Sequence, residues 1–155
     1  MNKWILSMAG ILLILSLGYP GEPTYVGVEK CKQCHEELVK KWERTAHAKA
    51  FERVKIKNAV EMPDCLKCHV TAFNEGGYKM ADPNKSKYEA VQCEACHGPG
   101  SQHVNLVKGN LKNPVNEKEM GLVTTPNEET CKKMCHKKAH FRVFTFKDYW
   151  RLIEH

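Results

Sequence analysis

The chain has little apolar material from which to build a protein core. Aromatic residues make up only 8% of its 155 residues, and its mean hydropathy is −0.52. A domain of this size normally depends on a large buried apolar surface. The composition therefore predicts marginal stability from side chains alone, so that large apolar groups other than side chains would have to complete the core.

Long hydrophobic runs are also absent, apart from one near the start. Lys3 precedes an apolar run from Trp4 to Leu17, and Ser16-Leu17-Gly18 has the small residues of a cleavage site. This pattern predicts an export signal over residues 1–18 and one domain over residues 19–155. The run is shorter than the roughly 17 to 25 residues that span a bilayer, and an uncleaved anchor is the alternative. Export would place the protein in the periplasm or outside the cell.

No cysteine lies outside four short motifs, each of which ends in a Cys-His pair. The motifs are Cys31-Lys32-Gln33-Cys34-His35, Cys65-Leu66-Lys67-Cys68-His69, Cys93-Glu94-Ala95-Cys96-His97 and Cys131-Lys132-Lys133-Met134-Cys135-His136. In such a motif two thiols add to the vinyl groups of one porphyrin while the adjoining imidazole binds its iron. The sequence therefore predicts a c-type cytochrome with four covalently attached haem c groups. The eight cysteines would attach them, and His35, His69, His97 and His136 would be the near-side iron ligands.

Zinc sites and disulfides are the other common uses of such cysteines. Structural zinc usually takes four ligands from two separated pairs, whereas here the histidine always abuts the second cysteine. An even cysteine count in an exported chain suits disulfides. Disulfides, however, would not explain four histidines at the same position of four motifs.

The fourth motif is one residue longer than the others, because Met134 is added between its cysteines. We still expect it to bind haem. A free dithiol or a disulfide between Cys131 and Cys135 is the alternative, and it would leave a protein with three haems.

Basic residues outnumber acidic ones and give a formal net charge of +6. Such a balance by itself would suit a nucleic acid or an anionic membrane. Each haem, however, brings two propionates, so four haems would cancel most of the excess. We therefore expect the lysines to neutralise propionates, and we predict no nucleic-acid partner and no membrane contact except through an N-terminal anchor.

The coarse pattern predicts a mainly α fold with long loops, wrapped around the haems. Apolar residues recur at helical spacing over Glu36 to Val54, and Pro63-Asp64 marks a helix start at the second motif. Thr125-Pro126-Asn127-Glu128 predicts another helix start at Thr125. The turn Asn74-Glu75-Gly76-Gly77-Tyr78 adds one short β-hairpin against Thr71-Ala72-Phe73.

Four histidines lie outside the motifs, which permits a second histidine ligand at every iron. They are His47, His103, His140 and His155. The alanines on either side of His47 leave room for a porphyrin to approach. Gly98-Pro99-Gly100 is a turn sequence that could direct His103 toward a neighbouring haem. We expect both residues to be iron ligands.

Position alone does not separate the other two candidates. His140 lies four residues after His136 and could serve another haem, another subunit or solvent. His155 closes a short helix predicted over Lys147 to His155, whose aromatic and aliphatic residues can cover a haem. Both stay candidate ligands.

The order of these features resembles that of the cytochrome c-554 family of small tetrahaem electron carriers. The similar segments are Cys31 to His35 followed by Trp42 to Ala50, Asp64 to His69 with Gly76-Gly77-Tyr78, Cys93 to His97 with Gly98-Pro99-Gly100, and Phe144-Thr145-Phe146. The resemblance runs over nearly all of residues 19–155.

This resemblance implies a set of ligands on the far sides of the haems. His103 would face the first haem, His47 the fourth and His155 the third, and the second haem would lack a histidine there. The chain is also similar to the tetrahaem subunits of extracellular cytochrome filaments, which can borrow a histidine from the next subunit. His140 or His155 could be such a donated ligand.

Taken together, the pattern favours an exported electron carrier over an enzyme. Single electrons would pass between redox partner proteins through closely packed haems. One alternative is a filament subunit whose partners are further copies of itself. The other is a reductase of a small nitrogen or sulfur oxyanion or oxide at a five-coordinate haem, that of His69.

Overall fold

The computed structural model describes residues 22–108, 121–123, 125–137 and 144–155, and these are mainly helical. The helices are α1 (Val28–Lys32), α2 (Glu36–Trp42), α3 (Ala50–Ile56), α4 (Pro63–His69), α5 (Cys93–His97), α6 (Ser101–Lys108), α7 (Glu128–Cys131) and α8 (Phe146–Trp150), with a 3-10 turn at Lys85–Tyr88 and a π-helical turn at Lys132–His136. Extended pairing within the described ranges is one antiparallel bridge between Val70 and Glu89. The prediction of a mainly α fold is confirmed.

Two sequence predictions fall on other parts of the chain. The export signal over residues 1–18 and His140 both lie outside the described residues. Within the described ranges, no helix has the length and apolar character needed to cross a bilayer.

The four motifs lie on short helices. The second and third coincide with α4 and α5, the first begins in α1, and the fourth runs from the end of α7 through the π-helical turn. Pro63 occupies the first turn of α4, as predicted, because proline lacks the N–H that would have no intrahelical partner there. His69, His97 and His136 therefore lie at the end of a helix or helical turn, whereas His35 lies directly before α2 as its N-cap.

The prediction of one continuous helix from Glu36 to Val54 is wrong. The chain forms α2 and α3 instead, and they are separated by turns over residues 43–49. Thr45 explains the break, because its hydroxyl donates to the Trp42 carbonyl (2.7 Å) and accepts from the Ala48 N–H (3.3 Å). Such local bonds compete with the helical ladder. His47 consequently lies in a turn.

The short hairpin expected between Thr71 and Tyr78 is a compact turn. The Tyr78 N–H donates to the Thr71 carbonyl (3.0 Å), and the Asn74 N–H donates to the Tyr78 carbonyl (2.9 Å). Ala72 and Asn74 have φ of 49° and 58°, in the left-handed region that an extended strand does not use. The segment therefore bends too sharply to form two paired strands.

The C-terminal helices begin or end at other residues than predicted. The cap of α7 is Asn127 rather than Thr125, because the Asn127 side chain accepts from the Thr130 N–H (3.1 Å) while the Thr130 hydroxyl accepts from the Asn127 N–H (3.3 Å). The helix expected over Lys147 to His155 is α8, which stops at Trp150 and continues as turns.

A small apolar cluster holds the middle of the chain together. Its buried members are Phe51, Val54, Ala59, Leu66, Val70, Phe73, Tyr78 and Tyr88. Leu66 lies inside the second motif and is fully buried. The core is small, as the composition predicted, and it fixes α4 and the second motif against α3.

Replacing Leu66 by alanine should destabilise the holoprotein by about 2 to 5 kcal/mol, since it leaves a cavity in this small cluster. Denaturant unfolding followed by circular dichroism measures the loss. Lys67→Ala is the matched control, because Lys67 lies in the same motif but is exposed and pairs with Asp64 at the surface. Equal losses for the two variants would show that the cluster does not stabilise the second motif.

Candidate haem sites

The first motif histidine faces His103. The ring centroids of His35 and His103 are 6.2 Å apart, with 21° between the ring planes. Gly98, at φ 84°, helps to reverse the chain before α6, and the Thr24 N–H donates to the Ser101 hydroxyl (2.8 Å), which holds the start of α6 beside the segment that leads into α1. The turn predicted after the third motif does bring His103 to the first motif.

The fourth motif histidine faces His47. Their ring centroids are also 6.2 Å apart, with 65° between the planes. The turn that carries His47 is held by backbone pairing, since the Val91 N–H donates to the His47 carbonyl (3.1 Å), and the Trp42 indole N–H donates to the Val91 carbonyl (2.8 Å). Val91 therefore links the turn that carries His47 to Trp42 at the end of α2.

The third motif histidine faces His155, with ring centroids 5.8 Å apart and 57° between the planes. The Nδ1 of His97 donates to the Val123 carbonyl, and the Val123 N–H donates back to the His97 carbonyl (2.9 Å). The Nδ1 of His155 donates to the Ile153 carbonyl (2.9 Å). With Nδ1 engaged, the Nε2 atom of each ring is left as the ligating nitrogen.

The separation within each pair suits an iron between two imidazoles. An imidazole nitrogen lies about 2.0 to 2.1 Å from a bound metal, so two rings on opposite sides of one ion have centroids roughly 6 Å apart. Each pair also combines one motif histidine with one histidine from outside the motifs. The histidines therefore fit the axial positions of three haems.

The protonation of these rings also suits metal binding. Burial lowers the pKa of His47, His103 and His136, and for His47 and His103 the facing histidine lowers it further. A lowered pKa favours the neutral imidazole, which is the form that binds a metal.

His69 of the second motif differs from the other three. Its Nδ1 donates to the Ala50 carbonyl (2.6 Å) at the start of α3. No ring contact joins it to another histidine in the parts of the chain that the structure describes, and His140 lies outside them. The second motif is thus the one without a facing histidine among the described residues.

The extra residue of the fourth motif is absorbed by a π-helical turn. Residues Lys132–His136 form this wider turn directly after α7, and such turns typically accommodate one inserted residue within a helix. His136 packs against Phe144, with ring centroids 4.3 Å apart, and still faces His47. The longer spacing therefore does not move the fourth histidine out of a paired position.

The described cysteines and histidines do not form a closed metal site. All eight cysteines are described, and none of them forms a disulfide. Over the same described ranges, no three His, Cys, Asp or Glu side chains come together as a metal site. The arrangement in the described residues is one of facing imidazoles, which differs from the closed four-ligand shell of structural zinc.

Comparison with known proteins points to one family. Residues 30–98 match the model of "Cytochrome c554 and c-prime". The curated cytochrome c-554 of Nitrosomonas europaea is 34% identical over 111 residues, which cover 60% of this chain and 47% of that relative. The solved reduced state of cytochrome c554 from the same organism matches with a TM-score of 0.60 and 26% identity, over 79% of this chain and 70% of that one.

The chain is similar in sequence and in fold to the cytochrome c-554 family. This similarity supports a multihaem c-type cytochrome with covalently bound haem c. The sequence match spans about half the length of the curated relative, and the histidine pairs occur in the same combinations that the resemblance implied.

Within this fold, the cysteines of neighbouring motifs lie close together. The interaction between the Cys31 and Cys93 thiols raises the pKa of Cys31 and lowers that of Cys93. The pKa of Cys96 is raised to about 11 by burial and by the nearby Cys131 and Cys93. The first, third and fourth motifs therefore follow one another in space.

Two residues that the sequence reasoning did not select are central to this arrangement. Glu94 and Gln92 flank Cys93 and are 3% and 4% exposed. Their side chains accept hydrogen bonds from the backbone N–H groups of residues 26–28, which lead into α1. A charged residue inside a short motif gives no sequence signal of burial, because Val26 and Gly27, which bind the Glu94 carboxylate, lie more than sixty residues away.

Proposed function

We propose that the protein is an exported tetrahaem c-type cytochrome that carries single electrons between redox partner proteins through closely packed haems. The observation that carries the proposal is that three motif histidines each face one histidine from outside the motifs at 5.8 to 6.2 Å. When bound, haem supplies one-electron exchange at its iron.

The proposed attachment and ligand residues follow the motifs. Haem would be attached by Cys31 and Cys34, Cys65 and Cys68, Cys93 and Cys96, and Cys131 and Cys135, and the axial pairs would be His35 with His103, His97 with His155, and His136 with His47. His69 would bind the second haem on one side. The fourth haem is supported by the position of His136 opposite His47 despite the longer motif.

The side chains and backbone of this protein set ring orientation rather than perform acid-base chemistry. Backbone carbonyls of Ala50, Val123 and Ile153 accept from the Nδ1 atoms of His69, His97 and His155. Such bonds fix the tautomer and make the other nitrogen a better donor to a metal. A haem held by two such histidines would have its iron shielded from small molecules, which suits electron transfer.

Haem counting and electron paramagnetic resonance test the proposal on native holoprotein. We expect four haems per chain by pyridine haemochrome assay, with three low-spin and a high-spin fraction near one quarter from the haem of His69. Fewer than four haems per chain would overturn the proposal of a tetrahaem protein. A protein with four haems and no high-spin signal would contradict the open second haem and point to His140 as its ligand.

A small-molecule reductase is the second candidate, because His69 has no facing histidine among the described residues. It would need a substrate that binds at that iron and a proton donor beside it. The filament alternative receives less support, since His155 faces His97 of its own chain and therefore does not have to be donated to another copy.

A further inference from the structure

We propose that Glu94 is a positioning residue whose buried charge fixes the first haem site against the third and keeps the reduction potentials of both haems low. The inference rests on the proposed function, because it requires haem at both motifs. It concerns a residue that is neither an attachment cysteine nor an iron ligand.

The Glu94 carboxylate is held by three backbone N–H groups from two separate segments. Oε1 accepts from Gly100 (2.7 Å) and Val26 (2.9 Å), and Oε2 accepts from Gly27 (2.8 Å) and Val26 (3.1 Å). All of these partners are donors, so both carboxylate oxygens act only as acceptors in the hydrogen bonds that hold this side chain.

The site is built around this side chain. Gly27 has φ 79°, a conformation that favours glycine, and a Cβ on Gly100 would lie 3.2 Å from Glu94 Oε1. Gln92 extends the same connection, because its side-chain oxygen accepts from the Val28 N–H (2.9 Å) while its nitrogen donates to the Lys87 and Glu89 carbonyls (both 2.9 Å). Three consecutive N–H groups ahead of the first motif are thus bound by the two residues that flank Cys93.

The negative charge has no cationic partner. Every hydrogen bond to Glu94 comes from backbone, and no ion pair involves it in the described ranges. Backbone N–H dipoles therefore stabilise this charge without cancelling it.

The charge acts at both neighbouring attachment sites. Glu94 directly follows Cys93, and its carboxylate accepts from the Gly27 N–H, whose own carbonyl oxygen lies 3.9 Å from Cys31 Sγ. Cys31 belongs to the first motif and Glu94 to the third, so one carboxylate lies close to two haem sites.

A fixed negative charge favours the more positive oxidation state of a nearby centre. In a buried environment the interaction is weakly screened, and charge is one of the means by which proteins set haem potentials. Glu94 should therefore stabilise the ferric form of the first and third haems and leave the second and fourth largely unaffected.

Three holoprotein variants test the role of the charge. Glu94→Gln removes the charge and replaces one accepting oxygen by a donating NH2, Glu94→Asp keeps the charge and shortens the side chain, and Glu29→Gln is the matched control. Glu29 is an exposed residue of α1, two positions before Cys31. Haem per chain is counted first, and spectroelectrochemical titration then resolves the individual reduction steps.

At a fixed applied potential, we expect Glu94→Gln to raise the ratio of reduced to oxidised haem on the order of tenfold for the first and third haems, as for the loss of a buried unit charge. A tenfold change in this ratio corresponds to about 59 mV for one electron. Glu29→Gln should change this ratio less than about twofold, because solvent screens the exposed charge. Glu94→Asp should also change it less than about twofold, because the carboxylate charge is retained.

Several results would overturn the inference. They are unchanged potentials in Glu94→Gln, equal shifts in all four haems, or a tenfold shift in Glu29→Gln or Glu94→Asp. If Glu94→Gln does not mature, Glu94→Asp is the deciding variant: maturation with unchanged potentials supports a role for the retained charge, and a tenfold shift overturns it. A wild-type chain without haem at these motifs would instead overturn the proposed function, so the two failures are distinguishable.

Discussion

Replacing Cys131 and Cys135 together by alanine is expected to lower the haem content by one per chain. The fourth motif contains an extra residue, but the π-helical turn Lys132–His136 takes it up and His136 still faces His47. Both thioether bonds would be lost in the double variant, and covalent attachment to the chain would be lost with them. Pyridine haemochrome assay and the mass of the denatured chain measure the change.

Deletion of Met134 is the matched control for this variant. It converts the fourth motif to the shorter spacing of the other three and keeps both cysteines, so the haem count should equal that of the wild type. A wild-type protein that already carries three haems, with Cys131 and Cys135 as a dithiol or disulfide, would contradict the prediction. A deletion variant that gains a haem over the wild type would lead to the same conclusion.

The sequence predicted what depends on short spacing. The cysteines and histidine of each motif lie within six residues, so their chemistry follows from local order alone. The helix start at Pro63 and the reversal at Gly98-Pro99-Gly100 were predicted for the same reason, because proline and glycine restrict or permit backbone angles wherever they occur.

Residues that depend on distant partners could not be predicted in this way. The helical spacing of apolar residues runs from Glu36 to Val54 without a gap, since α2 and α3 both bury apolar side chains. Val39, Ala50 and Val54 are among the buried ones. The hydroxyl of Thr45 forms the local hydrogen bonds at the break between the two helices. The spacing of apolar residues carries no information about such bonds. The burial of Glu94 depends on Val26 and Gly27, and the sequence offers no local sign of that contact.

The histidine pairs could be predicted from the sequence only in part. Counting histidines showed that pairs were available, and the resemblance implied which would form, but neither gave a distance. Separations of 5.8 to 6.2 Å turn the implied pairs into definite expectations for each haem.

The His47→Ala variant of the holoprotein should raise the high-spin fraction from about one quarter to about one half. His47 is the residue that faces His136, and its lowered pKa, caused first by burial and then by His136, keeps it in the neutral form that binds a metal. Without it the fourth haem would have one histidine ligand and an open position, like the haem proposed at His69. Electron paramagnetic resonance and carbon monoxide binding to the reduced protein measure the change.

The matched control is Lys49→Ala, an exposed residue two positions along the same turn, which should leave the spin states unchanged. Added imidazole should return the His47→Ala variant toward the wild-type spectrum, because it can take the open position without restoring the turn. A general loss of structure would not be reversed in this way.

If His47→Ala has the wild-type high-spin fraction, then His47 and His136 are packed rings and not the two ligands of one iron, and the fourth haem must take its second ligand from elsewhere. The result at this one residue thus decides whether a centroid separation of about 6 Å can be interpreted as a ligand pair in this chain.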